Sequence, residues 1–531
     1  MMARGDWQIS TMDWIVFCYF ISNLTSYLLN SNHFQNHHRF LSYYASLPPL
    51  SDFSSLDVTD CVLTSGVGLL VLVSSLFFFA GARRQHKHQA IRDLSPPRAP
   101  VTEREALLRK SSTTGPWFLL EMAEKIGSDI YQLASNYYVV GDAETAREIL
   151  LDRSSEKPEV YQFFKKLFGS DSLFSRLKTD QRWHNTSKAV HRSMSSSEVR
   201  RMDPVVVDQV NNWVNNTLEP LIANDESFDP FFEMSRIAFK VIAEATLEYI
   251  VTDEEYATYV HNLNNGKKEL AHLISGNRFR KWFAPLLSDH RDRNKSCAEL
   301  HVFGRKILDA YRQNPNKSSN NTTIKLLESP GVCVDDDHCI AEILTSLLAG
   351  TDSTGHTLGH TLVLLAKHNK VQDKLRVDLL NMDSAIRSKS VYMRHVVTES
   401  NRLLPVIPLG SARVVGRDIS CKNNSMIIPK GAVVILPQVI LHRNPAVFKD
   451  PAEFLPERWE NATKAMKDSI QMFSLGQRQC TGQSLVLVEL YTAISKLLAA
   501  YEFQVEKEGE LKYFSTLAYY GCRVKASKVQ V

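Results

Sequence analysis

The segment Phe473-Ser-Leu-Gly476-Gln-Arg478-Gln-Cys480-Thr-Gly482 carries the strongest chemical signal in this chain of 531 residues. It places a cysteine in a glycine-flanked turn that leads into an apolar helical stretch. At the start of a helix, free backbone N–H groups and the helix dipole favour a thiolate, the form of cysteine that binds metals. The two glycines would let the backbone approach a flat ligand where a Cβ atom would clash, and Arg478 suits an acidic group of that ligand. The segment therefore predicts a metal site with Cys480 as the ligand.

The overall composition excludes several other classes of protein. Apolar residues make up 44% of the chain and charged residues 23%, which is typical of globular proteins and not of collagens, coiled coils or polytopic transporters. Lysine plus arginine number 62 against 58 for aspartate plus glutamate, a net charge of +4 that is too balanced for a nucleic-acid binder. The eight cysteines are scattered, which excludes zinc fingers and iron–sulfur clusters and fits a reducing compartment.

The N-terminal part of the chain predicts a membrane anchor. Residues 61–82 contain no charged side chain and, as a helix, would span about 33 Å, enough for the hydrocarbon core. A basic cluster follows, so the positive-inside rule places the long C-terminal part in the cytosol. A buried core helix is the alternative interpretation of residues 61–82. The second uncharged run, 14–29 within the N-terminal segment 1–60, fits a first span, a signal-like segment or an interfacial helix.

Residues 83–100 combine that basic cluster with the proline-rich run 95–100, and we expect them to form a stiff hinge before a catalytic domain at 101–531. Five aspartates among the first 60 residues argue against a mitochondrial transit peptide, so the endoplasmic reticulum membrane is the expected location. Helical periodicity dominates from 101 to about 400, and strand-like runs are few. The predicted fold class is therefore mainly α with a small β part.

A second unusual segment lies at the centre of a long apolar helix predicted for residues 340–367. It reads Ala349-Gly350-Thr351-Asp352-Ser353-Thr354. Gly350 costs about 1 kcal/mol relative to alanine in a helix, and the carboxylate and hydroxyl side chains compete for backbone hydrogen bonds. A buried helix weakened in this way indicates a functional site, although a polar kink in a core helix is the simpler alternative.

Together these segments resemble the cytochrome P450 monooxygenases. The Cys480 segment is similar to the haem-binding loop of that family, in which the cysteine is the proximal iron ligand. Residues 349–354 are similar to the family's distal helix, where an acid and a hydroxyl deliver protons; the resemblance gives these roles to Asp352 and Ser353. Serine replaces the usual threonine but keeps the hydroxyl. Thr354 is the alternative donor if a distortion at Gly350 turns it.

Three further matches follow the order of motifs in the family. Glu399 and Arg402, with Arg458, resemble a buried triad that supports the haem loop. Arg413 resembles an arginine that holds a haem propionate, although an exposed strand arginine is the alternative. Residues 183–188 resemble the family's WxxxR helix. Trp183 is present, Ser187 stands in place of the arginine, and Lys188 is the nearest cation.

The resemblance covers residues 96–531 and implies the mainly α cytochrome P450 fold with a small β subdomain and one haem b (iron protoporphyrin IX). The implied haem contacts are Phe473, Gly476, Arg478, Cys480, Gly482, Gly350, Trp183, Lys188 and Arg413. It also implies a membrane-anchored enzyme that inserts one oxygen atom of O2 into a lipophilic molecule such as a sterol or fatty acid.

Electrons must come from a partner, because the chain has no GxGxxG fingerprint for a flavin or nicotinamide. By resemblance, that partner is an NADPH-dependent flavoprotein reductase. Two alternatives remain open: an isomerase or dehydratase of the same family that needs no reductase, and a haem-binding sensor without turnover. No nucleic-acid partner is expected.

Overall fold

Residues 95–110, 112–274, 288–422 and 425–529 are described by the computed structural model. They fall in the second of two units of the chain, residues 91–531. The apolar runs 14–29 and 61–82 lie outside the described residues, as does most of the expected hinge, so the membrane anchor stays a prediction.

Helices form most of this part of the chain. In chain order they are α1 (Glu103–Lys110), α2 (Gly115–Ile126), α3 (Ala143–Leu151), α4 (Phe163–Phe168), α5 (Gln181–Ser193), α6 (Ser196–Trp213), α7 (Glu219–Ala223), α8 (Pro230–Leu247), α9 (Asp253–Ile274), α10 (Ser288–Gln313), α11 (Thr323–Leu327), α12 (Asp336–Lys367), α13 (Asn369–Leu380), α14 (Val391–Leu403), α15 (Gln438–Leu441), α16 (Lys464–Ser469) and α17 (Gln483–Ala500).

The strands are short. They are β1 (Ile130–Ala134), β2 (Tyr137–Val140), β3 (Ser411–Val414), β4 (Ile419–Cys421), β5 (Met426–Ile428), β6 (Val433–Leu436), β7 (Tyr501–Lys507), β8 (Glu510–Tyr513), β9 (Leu517–Tyr520) and β10 (Arg523–Lys528). One sheet has the order β1-β2-β6-β3, with β2 and β6 parallel and the other neighbours antiparallel. The remaining strands form antiparallel pairs. The mainly α class with a small β part is confirmed.

Helix α12 is the central element of the core and packs along α8. Asp335 caps its first turn, since the carboxylate accepts a hydrogen bond from the backbone N–H of His338. The helix then continues without a break to Lys367. A Cβ atom at Gly350 would lie 2.8 Å from Ile242, and one at Gly355 would lie 2.4 Å from the backbone of Ser235. These glycines therefore permit close helix packing, and the distortion expected at Gly350 is absent from this helix.

The start of the folded domain differs from the expected boundary at residue 101. The backbone N–H of Gln132 in β1 donates to the carbonyl of Pro97 at 2.7 Å, and the N–H of Ala99 donates to the carbonyl of Gln132 at 2.9 Å. Ala99 is buried. Part of the proline-rich run thus pairs with the sheet, and the domain begins before the predicted hinge ends.

Helix α17, which follows the cysteine loop, is the one helix among the described residues that is long and apolar enough to cross a membrane by length and composition. Half of its most apolar window is buried inside the protein. It packs against α6, α12 and α13, so its apolar sequence is explained by its place in the core.

Candidate functional site

The loop before α17, which contains Cys480, owes its shape to two left-handed residues and to a hydrogen bond within its backbone. Ser474 and Gly476 have φ angles of 58° and 73°, and the backbone N–H of Cys480 donates to the carbonyl of Phe473 at 2.9 Å. A Cβ atom at Gly476 would lie 2.4 Å from the carbonyl oxygen of Leu150. Gly476 is therefore required by the left-handed backbone and by the close contact with α3. At Gly482 a Cβ atom would meet no protein atom within 4 Å, so protein packing does not require that glycine.

The Cys480 side chain is exposed although protein atoms crowd around its thiol. Burial raises the pKa of Cys480, while hydrogen bonds from the backbone N–H groups of Gly482 and Gln483 lower it by less. The predicted backbone donors are therefore present, and desolvation of the charged thiolate outweighs their effect on the pKa. The thiol remains accessible to a ligand from one side.

Arg478 fixes this loop to the segment that precedes α5. Its guanidinium donates to the carbonyls of Leu173 at 3.0 Å and Arg176 at 2.6 Å. It also lies 4.3 Å from the ring centroid of Trp183, which is itself buried. The structure thus brings together Arg478 and Trp183, as the resemblance implied. The buried Nε of Arg478 has no hydrogen-bond partner among the described residues.

Arg413 joins the same cluster from strand β3. It is 4% exposed, so the alternative of an exposed strand arginine is wrong. Its guanidinium donates to the carbonyl of Ala412 at 2.9 Å. Burial lowers the pKa of Arg413. A third cation, Lys157, lies in the electrostatic range of Arg413 and Arg478. Lys157 belongs to no motif that the sequence shares with the family, so the sequence did not predict it.

Lys188 does not join the cluster. Trp183 and Ser187 lie on the buried side of α5, one helical turn apart, whereas Lys188 is exposed. Successive residues in a helix are rotated by about 100°, so a cation one position later cannot replace one on the face of Trp183. The assignment of Lys188 as a haem contact is therefore corrected.

At the centre of α12, the hydroxyls of Ser353 and Thr354 lie in different environments. Ala349 is exposed and Ser353, one turn later, is half-exposed; the Ser353 hydroxyl donates to the Ala349 carbonyl at 2.6 Å. Thr354 is fully buried, and its Oγ1 has no partner among the described residues. Ser353 is thus on an accessible face of the helix and Thr354 is not.

Asp352 forms an ion pair between α12 and α9. Its Oδ2 lies 2.6 Å from the Nζ of Lys267, with side-chain exposures of 20% and 13%. Burial raises the pKa of Asp352, but Lys267 and His356 together lower it by more. The net shift is therefore downward. The carboxylate is consequently ionised at neutral pH.

The predicted triad is confirmed in its contacts. Arg402 donates to both carboxylate oxygens of Glu399 at 2.9 and 2.8 Å, and Arg458 donates to Glu399 at 2.9 Å. Trp459 adds a fourth hydrogen bond to the same carboxylate at 2.9 Å. Glu399 and Arg402 are completely buried, so this network fixes α14 to the segment that contains Arg458.

Comparison with known proteins places this geometry in a family. The family model described as Cytochrome P450 matches residues 111–526. The chain belongs to the cytochrome P450 family. Cheilanthifoline synthase of Argemone mexicana is 23% identical over 403 residues, which cover 70% of this chain and 78% of that protein. Cytochrome P450 monooxygenase btcC of Neocamarosporium betae is 25% identical over 420 residues, covering 73% and 81%.

The fold is also that of a solved cytochrome P450. The crystal structure of CYP102L1 superposes with a TM-score of 0.65 at 19% identity, covering 74% of this chain and 92% of that one. The predicted family and fold are therefore confirmed. The protein is a haem-thiolate monooxygenase, an oxidoreductase that incorporates oxygen from O2.

The described residues of this cytochrome P450 fit a haem. An accessible thiol is available to the iron, and Gly482 leaves space beside it. The cations Arg413 and Arg478, with the unpaired Nε of Arg478, suit the two carboxylates of the porphyrin.

Proposed function

We propose that this cytochrome P450 inserts one oxygen atom into a lipophilic small molecule, with electrons from an NADPH-dependent flavoprotein reductase, at the endoplasmic reticulum membrane. The observation that carries the proposal lies on α12, where Ser353 has an accessible hydroxyl and Asp352, the residue before it in the chain, has an ionised carboxylate. An enzyme that only rearranges an oxidised substrate does not need such a route for protons.

Haem iron bound by a cysteine thiolate supplies the activation of O2. In the proposal, Cys480 holds the iron, while Arg478 and Arg413 hold the porphyrin carboxylates. Asp352 accepts protons from the solvent side, and the Oγ of Ser353 passes them on. Because that hydroxyl donates to the Ala349 carbonyl, its O–H bond must turn away from Ala349 before it can pass a proton on.

A lipophilic substrate is supported by the segment between α3 and α5. Phe164 contacts both Phe163 and Phe174, with ring centroids 5.7 and 4.9 Å apart. This segment also supplies the carbonyls that hold Arg478, so its aromatic side chains lie close to the proposed haem site. Aromatic and apolar linings favour apolar ligands. The membrane anchor predicted for residues 61–82 would keep the enzyme at the bilayer, where such ligands dissolve.

The test is reconstitution of the full chain with a microsomal reductase, NADPH, O2 and a lipid extract. Substrate-dependent NADPH consumption with an oxygenated product supports the proposal. Product formation without reductase would instead indicate an isomerase, and haem without any turnover would indicate a sensor. An untargeted comparison of lipids before and after reaction identifies the substrate.

Cys480→His tests the haem ligand in the same assay. We expect loss of monooxygenation and of the thiolate-type spectrum of the reduced carbon monoxide complex, because imidazole replaces the thiolate. Cys297→Ser, a half-buried cysteine in α10, is the matched control and should keep both. A thiolate-type spectrum in Cys480→His would refute the assignment.

A further inference from the structure

Helix α5 has no cation on the face that carries Trp183. Its lysine and arginine residues are all exposed: Arg182, Lys188 and Arg192. Ser187, one turn after Trp183, is buried and neutral. The family's WxxxR motif supplies one cation for the haem carboxylates. In this chain another residue must supply that cation if the same number is to be kept.

Lys157 supplies a cation close to Arg478, at the segment that precedes α5. Its ammonium donates to the carbonyl of Phe174 at 3.0 Å, while Arg478 donates to the carbonyl of Leu173 at 3.0 Å. The two cations thus bind consecutive carbonyls of one segment. The rings of Tyr161 and Phe174 lie 4.5 and 5.0 Å from the Lys157 ammonium and hold it in place.

The cluster has more positive than negative charge. Glu156 is the carboxylate nearest to Arg478, with Oε2 3.7 Å from its Nη2. Burial lowers the pKa of Lys157 well below its ordinary value, and repulsion from Arg478 and Arg413 lowers it further; Glu156 and Glu342 oppose this more weakly. Three cations in partly buried positions are stabilised by an additional anion.

We propose that Lys157 binds a carboxylate of the haem together with Arg478 and Arg413, in place of the cation that α5 lacks at Ser187. The inference rests on the proposed haem site. An ammonium with one carbonyl partner keeps two N–H donors, enough for a charge-assisted hydrogen bond to a carboxylate.

The experiment measures haem release from the full-length holoenzyme by transfer to excess apomyoglobin. We compare wild type with Lys157→Met, once with native haem and once after exchange for haem dimethyl ester, which lacks the carboxylate charge. Lys157→Met should release native haem about tenfold faster, the usual effect of losing one charged hydrogen bond. It should also reduce the difference between haem and the ester, because the lost partner is the carboxylate.

Two control variants separate this role from folding and from overall charge. Lys157→Arg keeps the cation and should retain slow release. Lys165→Met removes an exposed lysine, paired with Asp171 in the same segment, and should match wild type. Should Lys157→Met not fold, Lys157→Gln takes its place in both measurements.

Equal release rates, or an undiminished ester effect, would overturn the role of Lys157 while leaving the proposed function intact. Wild-type protein without any haem would overturn both.

Discussion

At the scale of single residues, burial decides which hydroxyl serves the distal side. Ser353 and Thr354 are adjacent in sequence, and their side chains differ by one methyl group. On a continuous helix, however, they point in directions about 100° apart. Ser353 shares a face with the exposed Ala349, whereas Thr354 is enclosed by the core. The missing distortion at Gly350 removes the only route by which Thr354 was expected to turn.

Replacement of each hydroxyl should therefore have a different effect on coupling. Ser353→Ala is expected to raise hydrogen peroxide release per NADPH consumed several-fold, because protons no longer reach the distal side through its Oγ. Ser353→Thr should keep coupling. Thr354→Ala, the matched control, should leave the peroxide ratio unchanged. Uncoupling in Thr354→Ala with normal coupling in Ser353→Ala would transfer the role to Thr354.

At the scale of elements, the contact between α8 and α12 depends on glycine. A helical glycine is normally worse than alanine by about 1 kcal/mol, so its presence indicates that something else requires it. At Gly355 the requirement is steric, since the Cα and N atoms of Ser235 lie 2.4 and 2.5 Å from where a Cβ would be. Backbone atoms of a packed helix cannot move aside as a side chain does.

Gly355→Ala should therefore destabilise the protein by about 1–3 kcal/mol, despite the better helix propensity of alanine. Gly266→Ala in α9 is the control, because its Cβ would be closest to Cδ1 of Leu167, the flexible end of a side chain. We expect a smaller loss there. Urea unfolding followed by circular dichroism measures both; equal stability of Gly355→Ala and wild type would show that α8 and α12 can separate without cost.

The triad is also an element-scale feature, because one carboxylate holds two segments together. Glu399 accepts from Arg402, Arg458, Trp459 and the backbone of Leu455. Removing it leaves buried guanidinium groups without a counter-charge.

We expect Glu399→Ala to lower the free energy of unfolding by about 3–5 kcal/mol and to prevent haem incorporation. Glu144→Ala is the matched control. It has the same spacing to Arg147, but both side chains are exposed, and its loss should cost at most about 1 kcal/mol. Unfolding curves and Soret absorbance distinguish the two variants; a Glu399→Ala protein as stable as wild type would contradict the role of the network.

At the scale of the whole molecule, the sequence predicted the family, the fold class and the contacts of the triad, because these depend on motifs with fixed spacing. It did not predict Lys157, whose neighbours Arg413 and Arg478 are hundreds of residues away in the chain. Nor could it show that burial raises the pKa of Cys480, since desolvation depends on packing that local sequence does not contain. Short strands such as β1 and β2 lack a distinctive alternating pattern, so the sequence indicated only that strands are few.

The residue at which the catalytic domain begins is a property of the whole molecule, and truncated chains can locate it. Because Pro97 and Ala99 pair with Gln132 in β1, the fold needs these residues, and every motif that carries chemistry lies after the proline-rich run 95–100. A chain that begins at Arg92 should therefore bind haem and give the thiolate-type carbon monoxide spectrum, while losing the predicted anchor and its sedimentation with membranes. A chain that begins at Glu103 is the control. It lacks the pairing with β1, so we expect it to be less stable and to incorporate less haem. Failure of the Arg92 chain to bind haem, with the full-length protein intact, would show that the N-terminal part belongs to the fold.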